Sequence, residues 1–271
     1  MDERSNRTAS ASLPSINNDF WKWCKVKKVG IIGCGAIGSL IADAVDKRIV
    51  GCDELILFDC DMEKAERLQD LLRTASIVVA SLDEMLKLRP TVIVEAASQE
   101  AASEYMSTIV DNNIELIVMS VGALLDSKSR NNRIHTPSGA IGGLDAISSA
   151  GLAGIDEVIL TTRKNPRTLD MDNQQEKIVY EGDAYEVVRR FPREMNVAAT
   201  LALTVQPERL LVRVISDPKT SRNTHEITVK WTHGEMMLRF ANDPHPENPK
   251  TSALAAWSAI KLLKDILEKR S

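Results

Sequence analysis

Residues 31–40 read IIGCGAIGSL, which places Gly33, Gly35 and Gly38 at G-x-G-x-x-G spacing. An apolar run precedes them and a helical pattern follows. Each glycine has its own task in that setting. Gly33 permits a tight turn, Gly35 lets backbone N–H groups approach a pyrophosphate, and Gly38 lets the helix pack close to the strand. The helix start at Ala36 and Ile37 adds free N–H groups and the positive end of a dipole, both of which favour phosphate. Asp59 ends the next apolar strand, 21 residues after Gly38, where a carboxylate accepts hydrogen bonds from ribose hydroxyls. The pattern predicts a dinucleotide site. A carboxylate at position 59 repels a 2′-phosphate, and residue 60 is Cys rather than Arg, so NAD is favoured. Lys64 and Arg67 on the following helix leave room for NADP.

Proton transfer calls for a different set of residues. An unperturbed imidazole titrates near ~6.5 and can both take and give a proton at neutral pH. The chain has four histidines. His233 sits in a turn-like WTHGE and His245 in a proline-rich loop, and both read as exposed bystanders. His225 opens the strand-like HEITVKW, and His135 adjoins a second glycine-rich segment, PSGAIGG (137–143). On the residues alone, His135 and His225 remain rivals for the catalytic role. Ser138, Gly139 and the N–H groups that follow are suited to a substrate carboxylate at a helix start. The same segment also reads as a hinge, and a hinge beside a substrate can close over it. Lys250, Thr251 and Ser252 start the last helix, either as its cap or as further polar contacts for ligand. Cys24, Cys34, Cys52 and Cys60 have no metal spacing and no disulfide pattern, so no metal site is expected.

These residues need elements to hold them. Up to about residue 130, near-continuous Val/Ile/Leu strands alternate with helical patterns: KVGIIG, ELILFD, SIVVA, TVIVEAA and IELIVMSV, with helices over 36–47, 62–74, 82–88 and 99–112. That alternation predicts a doubly wound parallel sheet covered on both faces. In the helix over 62–74, Ala65, Leu68, Leu71 and Leu72 are spaced for one buried face. Beyond residue 130 the strands lengthen and alternate, as in EITVKW and MLRF, which predicts a second α/β unit with a mostly antiparallel sheet. The last helix carries a stripe of Ala256, Ile260, Leu263 and Leu267, with Asn248 and Pro249 at its start.

Composition narrows the partners. A formal net charge of −4 over 271 residues and a pI near 5.7 give no broad basic field, so nucleic acid is not expected. No apolar run approaches the ~18–20 residues of a membrane span, and no signal-peptide pattern opens the chain. A soluble, cytoplasmic protein is expected. Residues 1–18 are polar, rich in Ser and Asn, and within the 1–25 extension Trp21 and Trp23 stand just ahead of the first strand. This segment reads as a disordered extension.

In combination and in order, EAASQEA (95–101), HTPSGAIGGLDAI (135–147), FPREMNVAATLAL (191–203), NTHEI (223–227) and ENPKTSALAA (247–256) resemble the archaeal and bacterial L-aspartate dehydrogenase family. The resemblance covers about residues 27–270. It implies a Rossmann domain joined to a dimerising α/β domain, and interconversion of L-aspartate with oxaloacetate plus ammonia. It also implies NAD or NADP as cofactor and a supply of iminoaspartate to NAD biosynthesis. Position by position, it implies cofactor contacts at Ala123 and Asn196 and a catalytic histidine at His225. The expected organisation is therefore an extension (1–25), a dinucleotide-binding domain (26–130 with helix 248–271), and a catalytic and dimerisation domain (131–247). Two other functions compete: a reductase of the dihydrodipicolinate reductase kind on the same architecture, and an NAD-binding regulatory module without turnover.

Overall fold

The computed structural model describes residues 26–125, 131–192, 195–205, 209–243 and 252–269. The N-terminal extension with Trp21, Trp23 and Cys24 lies outside the described residues. So do His245, Asn248, Pro249, Lys250 and Thr251.

The first sheet is built by strict alternation. β1 (Lys28–Ile32), α1 (Ala36–Asp46), β2 (Glu54–Phe58), α2 (Met62–Leu71), β3 (Ala75–Val78), α3 (Leu82–Lys87), β4 (Val92–Glu95), α4 (Gln99–Asp111), β5 (Glu115–Val118) and β6 (Ile134–His135) follow in order. The strand order is β3-β2-β1-β4-β5-β6, and every pairing is parallel. Inward residues on both faces explain the continuous apolar runs. Val29, Ile31, Leu55 and Leu57 share one core with α1, while Ile32, Ile56, Ile93 and Leu116 share another with the α4 residues Met106 and Ile109. Ser81 and Ser98 start α3 and α4 by accepting from Glu84 N–H (3.3 Å) and Ala101 N–H (3.2 Å).

α2 stops at Leu71, short of the expected residue 74, and Leu71 is 79% exposed rather than on the buried face. The cause is local. The Asp46 carboxylate accepts from the N–H groups of Arg73 and Thr74, both at 2.7 Å, and pulls that segment out of the helix.

The second sheet is mixed. β7 (Ile155–Lys164), β8 (Lys177–Asp183), β9 (Leu210–Ser216), β10 (Asn223–Trp231) and β11 (Gly234–Asn242) run in the order β11-β10-β7-β9-β8. Only β7–β9 is parallel; the other pairings are antiparallel. One face carries Val158, Leu160, Val212, Val214, Ile227 and Val229 into a core closed by α5 (Leu144–Ala153), α6 (Ala184–Arg190) and α7 (Asn196–Thr204). β8, α6 and α7 go beyond the sequence pattern. β8 is charged and largely exposed, and α7 is buried nearly all round, so it shows no amphipathic stripe.

The chain then returns to the first sheet. In α8 (Ala253–Lys269), Ala259, Ile260, Leu263, Ile266 and Leu267 belong to the same core as β1 and α1. Its first turn therefore reaches the boundary between the two sheets.

Candidate active site

The order of the first sheet reverses between β1 and β4, and the glycine loop leaves β1 at that point. Ligands of open α/β sheets bind in the crevice outside such a switch point. Gly33 has φ +93°, and a Cβ there would lie 2.7 Å from the Ala96 carbonyl carbon and oxygen. A Cβ on Gly38 would lie 2.0 Å from the Gly33 carbonyl oxygen. Gly35 differs: nothing lies within 4 Å of an added Cβ. No side chain caps α1, so its first N–H groups, from Ala36 onward, face open space beside Gly35.

Asp59 is tied to the same loop. Its Oδ2 accepts from Cys34 N–H at 2.7 Å and its Oδ1 from Asp61 N–H at 2.9 Å. The carboxylate is thus held in place and keeps lone pairs for a ribose diol. These features fit a dinucleotide: an open backbone cradle for the pyrophosphate and a fixed acceptor for the ribose. The cations that left room for NADP have nearby carboxylate partners, Lys64 with Asp61 (3.5 Å) and Arg67 with Glu63 (2.6 Å). The Cys34 thiol is pushed up to about 12, first by burial and then by the Asp59 charge, so it takes no part as a thiolate.

Glu95 braces the crevice from beneath. It is 1% exposed and accepts from Ala97 N–H (2.8 Å), Ser120 N–H (3.0 Å) and the Ser120 hydroxyl (2.9 Å), joining the exits of β4 and β5. Burial raises its pKa above the usual carboxylate range. Ala123 follows in a 3-10 turn (Val121–Leu124), half-buried, its N–H donating to the Ser120 carbonyl at 3.0 Å.

The second sheet supplies side chains. His225 on β10 is 3% exposed, and its Nδ1 lies 3.1 Å from the hydroxyl of Thr162, its register partner on β7. Burial first, and then the charge of Lys164, lower its pKa to about 3. This corrects the expectation of an imidazole titrating near neutrality: His225 is neutral at pH 7 in the free protein. Lys164 is 2% exposed and Thr162 is 1% exposed. At the start of α7, Asn196 Oδ1 is buried without a hydrogen-bond partner.

One cleft brings the two halves together. Ile37, Met119 and Val121 line it from the first sheet, Lys164 and His225 from the second, Asn196 and Thr200 from α7, and Ser252 and Ala255 from the start of α8. Gly139 lines it as well, at φ +68°. Its N–H, however, already donates to Ser258 Oγ at 3.0 Å, and Gly142 and Gly143 pack on Phe240 and Leu238 of β11. The expected row of free N–H groups is therefore partly satisfied within the protein. Ser138 is not among the lining residues. Neither is His135, whose Nε2 lies 2.6 Å from Glu115 Oε2 on the β5–β6 edge, where Arg133 also pairs. His233 stands edge-on to Trp231 at 5.4 Å. Sequence reasoning missed Lys164 and Thr162. In DEVILTTRK they look like ordinary residues of an alternating strand, and only the register with His225 marks them.

A glycine-loop crevice on a parallel sheet, faced by a buried histidine from a second sheet, defines an NAD-binding oxidoreductase of two-part α/β architecture. The family comparisons divide the chain in the same way. Residues 33–140 match the family model of the homoserine dehydrogenase NAD-binding domain, and residues 145–266 match that of the aspartate dehydrogenase C-terminal domain. The chain is 40% identical to the L-aspartate dehydrogenase of Methanosarcina barkeri over 263 residues, covering 89% of this chain and 97% of that one. It is 39% identical to the enzyme of that name from Methanothermobacter thermautotrophicus over 252 residues, covering 89% and 96%. The crystal structure of aspartate dehydrogenase from Thermotoga maritima superposes with a TM-score of 0.69 at 27% identity, covering 89% of this chain and 96% of that one. The chain belongs to the L-aspartate dehydrogenase family, oxidoreductases acting on a CH–NH2 group.

Proposed function

We propose that this chain interconverts L-aspartate and oxaloacetate plus ammonia through iminoaspartate, with NAD as cofactor, and that the iminoaspartate feeds NAD biosynthesis. The carrying observation is a single cleft in which a buried, neutral His225 faces the start of α1. Bound NAD supplies the hydride acceptor. Gly33, Gly35, Ala36, Ile37 and Gly38 would hold its pyrophosphate, and Asp59 its ribose. Asn196 Oδ1, an acceptor with no partner in the protein, suits the amide N–H of a carboxamide, and Ala123 borders the ring.

A neutral imidazole is in the right state to take a proton from water attacking the imine carbon. In the reverse direction the protonated ring returns that proton to the departing hydroxyl. The apolar wall of Ile37, Met119 and Val121 keeps bulk water from competing. NADP remains a second cofactor in this reading. Of the residues put forward for the substrate (His135, Ser138 and Gly139), only Gly139 borders the cleft.

The working unit we propose is a cytoplasmic homodimer. It pairs a cofactor domain (26–130 with 248–271) with a catalytic and dimerisation domain (131–247), the latter's first strand, β6 (Ile134–His135), crossing back to extend the cofactor-domain sheet beside β5. The outer face of the second sheet, where Met237 is 81% and Ile178 54% exposed, offers the contact. No helix among the described residues is long and apolar enough to cross a membrane.

NADH consumption with oxaloacetate and ammonium tests the reaction. Turnover is expected there and none with dihydrodipicolinate. NADH binding without turnover on any of these substrates would make the chain a regulatory module. A monomer by light scattering at micromolar concentration would remove the dimer.

A further inference from the structure

Gly122 has no backbone reason to be glycine, since its φ is not among the positive ones. A side chain supplies the reason. A Cβ at position 122 would lie 2.1 Å from Gln99 Nε2, 2.5 Å from its Cδ and 2.8 Å from its Oε1. The amide of Gln99 therefore lies flat against the Gly122 backbone, and only a residue without a side chain leaves room for it. Gln99 is the first residue of α4. Its Nε2 reaches on past the turn and donates to the Pro192 carbonyl at 2.8 Å, 93 positions along the chain.

One side chain thus links a helix of the first sheet, the turn Val121–Leu124 and the chain between α6 and α7. The turn itself packs on both α4 and α7. Each end of the link leads to a residue of the site. Gly122 directly precedes Ala123. On the other side, Met195 is 1% exposed and its N–H donates to the Phe191 carbonyl at 3.2 Å, so the start of α7 at Asn196 is set from Phe191 and Pro192. The adenosine and pyrophosphate half of the cofactor has separate support, at Gly35 and Asp59.

We propose that Gln99 is a positioning residue for the nicotinamide half of the cofactor: its amide, bedded on Gly122 and bonded to the Pro192 carbonyl, holds the Ala123 turn and the Asn196 end of α7 at the separation the ring and its carboxamide need. The inference rests on reading Ala123 and Asn196 as ring contacts, and Gln99 acts through them. Its effect is preorganisation. With the bond in place, the two contacts are already in register before the cofactor arrives. Without it, the cost of ordering them moves into the binding step and weakens affinity there. That loss is confined to ligands that carry the ring.

The test compares NADH with ADP-ribose, which keeps the pyrophosphate and both riboses and lacks the nicotinamide, each titrated calorimetrically into the full chain. Wild type is expected to bind NADH more tightly than ADP-ribose. Gln99→Ala should weaken NADH binding about 3- to 10-fold, as for loss of one neutral hydrogen bond, and leave ADP-ribose within about two-fold. Gln99→Glu keeps the length, loses the donor and should fall as far. Gly122→Ala breaks the same contact from the other side, because its methyl displaces the flexible end of Gln99. It should match Gln99→Ala, and the double variant should be no weaker than either single one, since both remove one interaction. Thermal melts identify any variant that does not fold, and Gln99→Glu then carries the comparison. The proposal is overturned if the Gln99 variants keep the wild-type preference for NADH, if ADP-ribose affinity falls in step with NADH affinity, or if the losses from Gln99→Ala and Gly122→Ala add. A preference kept by the variants leaves Ala123 and Asn196 standing as ring contacts. Wild type without any preference would end that reading as well.

Discussion

The two sheets do chemistry in opposite ways. The first works with its backbone. Its central strands β1, β2, β4 and β5 are buried on both faces, so what it presents comes from the loops at their carboxyl ends: an open N–H cradle at Gly35, a turn at Gly33 and a carboxylate pinned by Cys34 N–H. The second works with side chains. Thr162, Lys164 and His225 are buried strand residues on the side of the second sheet that faces the cleft, where their charges and hydrogen bonds act at low dielectric. Backbone chemistry leaves a spacing in the sequence, because only glycine tolerates the close approaches. Side-chain chemistry leaves residue types that many strands carry for other reasons. If the division is real, substitutions in the second sheet should impair turnover and spare cofactor binding, and substitutions in the first should do the reverse.

The largest effect is expected at His225. Its replacement by Ala should lower kcat about 10²–10⁴-fold with NADH affinity nearly unchanged, since general acid–base help is typically worth that much. His225→Asn, polar but unable to carry a proton, should be almost as poor. Steady-state kinetics and NADH fluorescence titration decide it. Near-normal turnover of His225→Ala, with loss in His135→Ala, would transfer the role to the β5–β6 edge.

The same histidine should make the protein acid-labile. Its folded pKa is lowered to about 3 by burial and by the Lys164 charge. Unfolded, it titrates near ~6.5 and so binds its proton first as pH falls. The unfolded state is therefore favoured progressively from pH ~6.5 down to ~3, a loss on the order of 4 kcal/mol across the window. Carboxylates titrate in part of that window as well, so the difference between wild type and His225→Asn isolates the imidazole. Urea melts from pH 7 to 4 should show the variant losing less stability than wild type. Parallel curves would mean that the ring is protonated in the fold.

A smaller effect separates two glycines of one motif. Gly38→Ala puts a methyl 2.0 Å from the Gly33 carbonyl oxygen, a backbone atom that cannot give. It should cost about 1–3 kcal/mol of stability. Gly35→Ala meets nothing within 4 Å, so the melt should barely move. The methyl would instead occupy the cradle, and NADH affinity should fall. A stable Gly35→Ala that binds NADH as wild type does would place the pyrophosphate elsewhere.

The contrast also explains how far the sequence could be read. The first sheet was legible almost strand by strand, because burial on both faces forces continuous apolar runs. Its site was legible in Gly33, Gly35, Gly38 and Asp59. The end of α2 was not, since Asp46, far back in the chain, decides it by capping Arg73 and Thr74. In the second half the alternating strands β7, β9, β10 and β11 were visible, while α7, buried all round, gave no period to detect. His225 stood out only because histidine is rare here. Residues alone could not choose it over His135, because what separates them is the Glu115 partner of one and the cleft around the other. Lys164 and Thr162 carry no local signal at all. Their meaning comes from a register formed with a strand some sixty residues away.

The smallest effect is expected at Thr162, and it tests whether the second sheet merely presents His225 or also sets its proton. The Thr162 hydroxyl lies 3.1 Å from Nδ1, and both side chains are buried. A hydroxyl can accept from Nδ1–H, which leaves the Nε2 lone pair as a base. It can also donate to a bare Nδ1, which leaves Nε2–H as a donor. A partner able to do either lets the imidazole change role between the two directions of the reaction without losing a hydrogen bond. A carboxylate or a carbonyl at this position would lock one tautomer. Thr162→Val keeps the shape and removes the hydroxyl. Loss of one neutral hydrogen bond, worth about 1 kcal/mol, should lower kcat roughly 5- to 10-fold. KM for oxaloacetate should hold, because the lost hydroxyl meets the imidazole rather than the substrate. Thr162→Ser restores a hydroxyl with a smaller side chain and should recover most of the rate even if it melts earlier. That recovery separates a proton-positioning role from a packing one. If Thr162→Val turns over within two-fold of wild type, or if Thr162→Ser is the worse of the two, the strand fixes His225 by packing alone and the hydroxyl has no part in its tautomer.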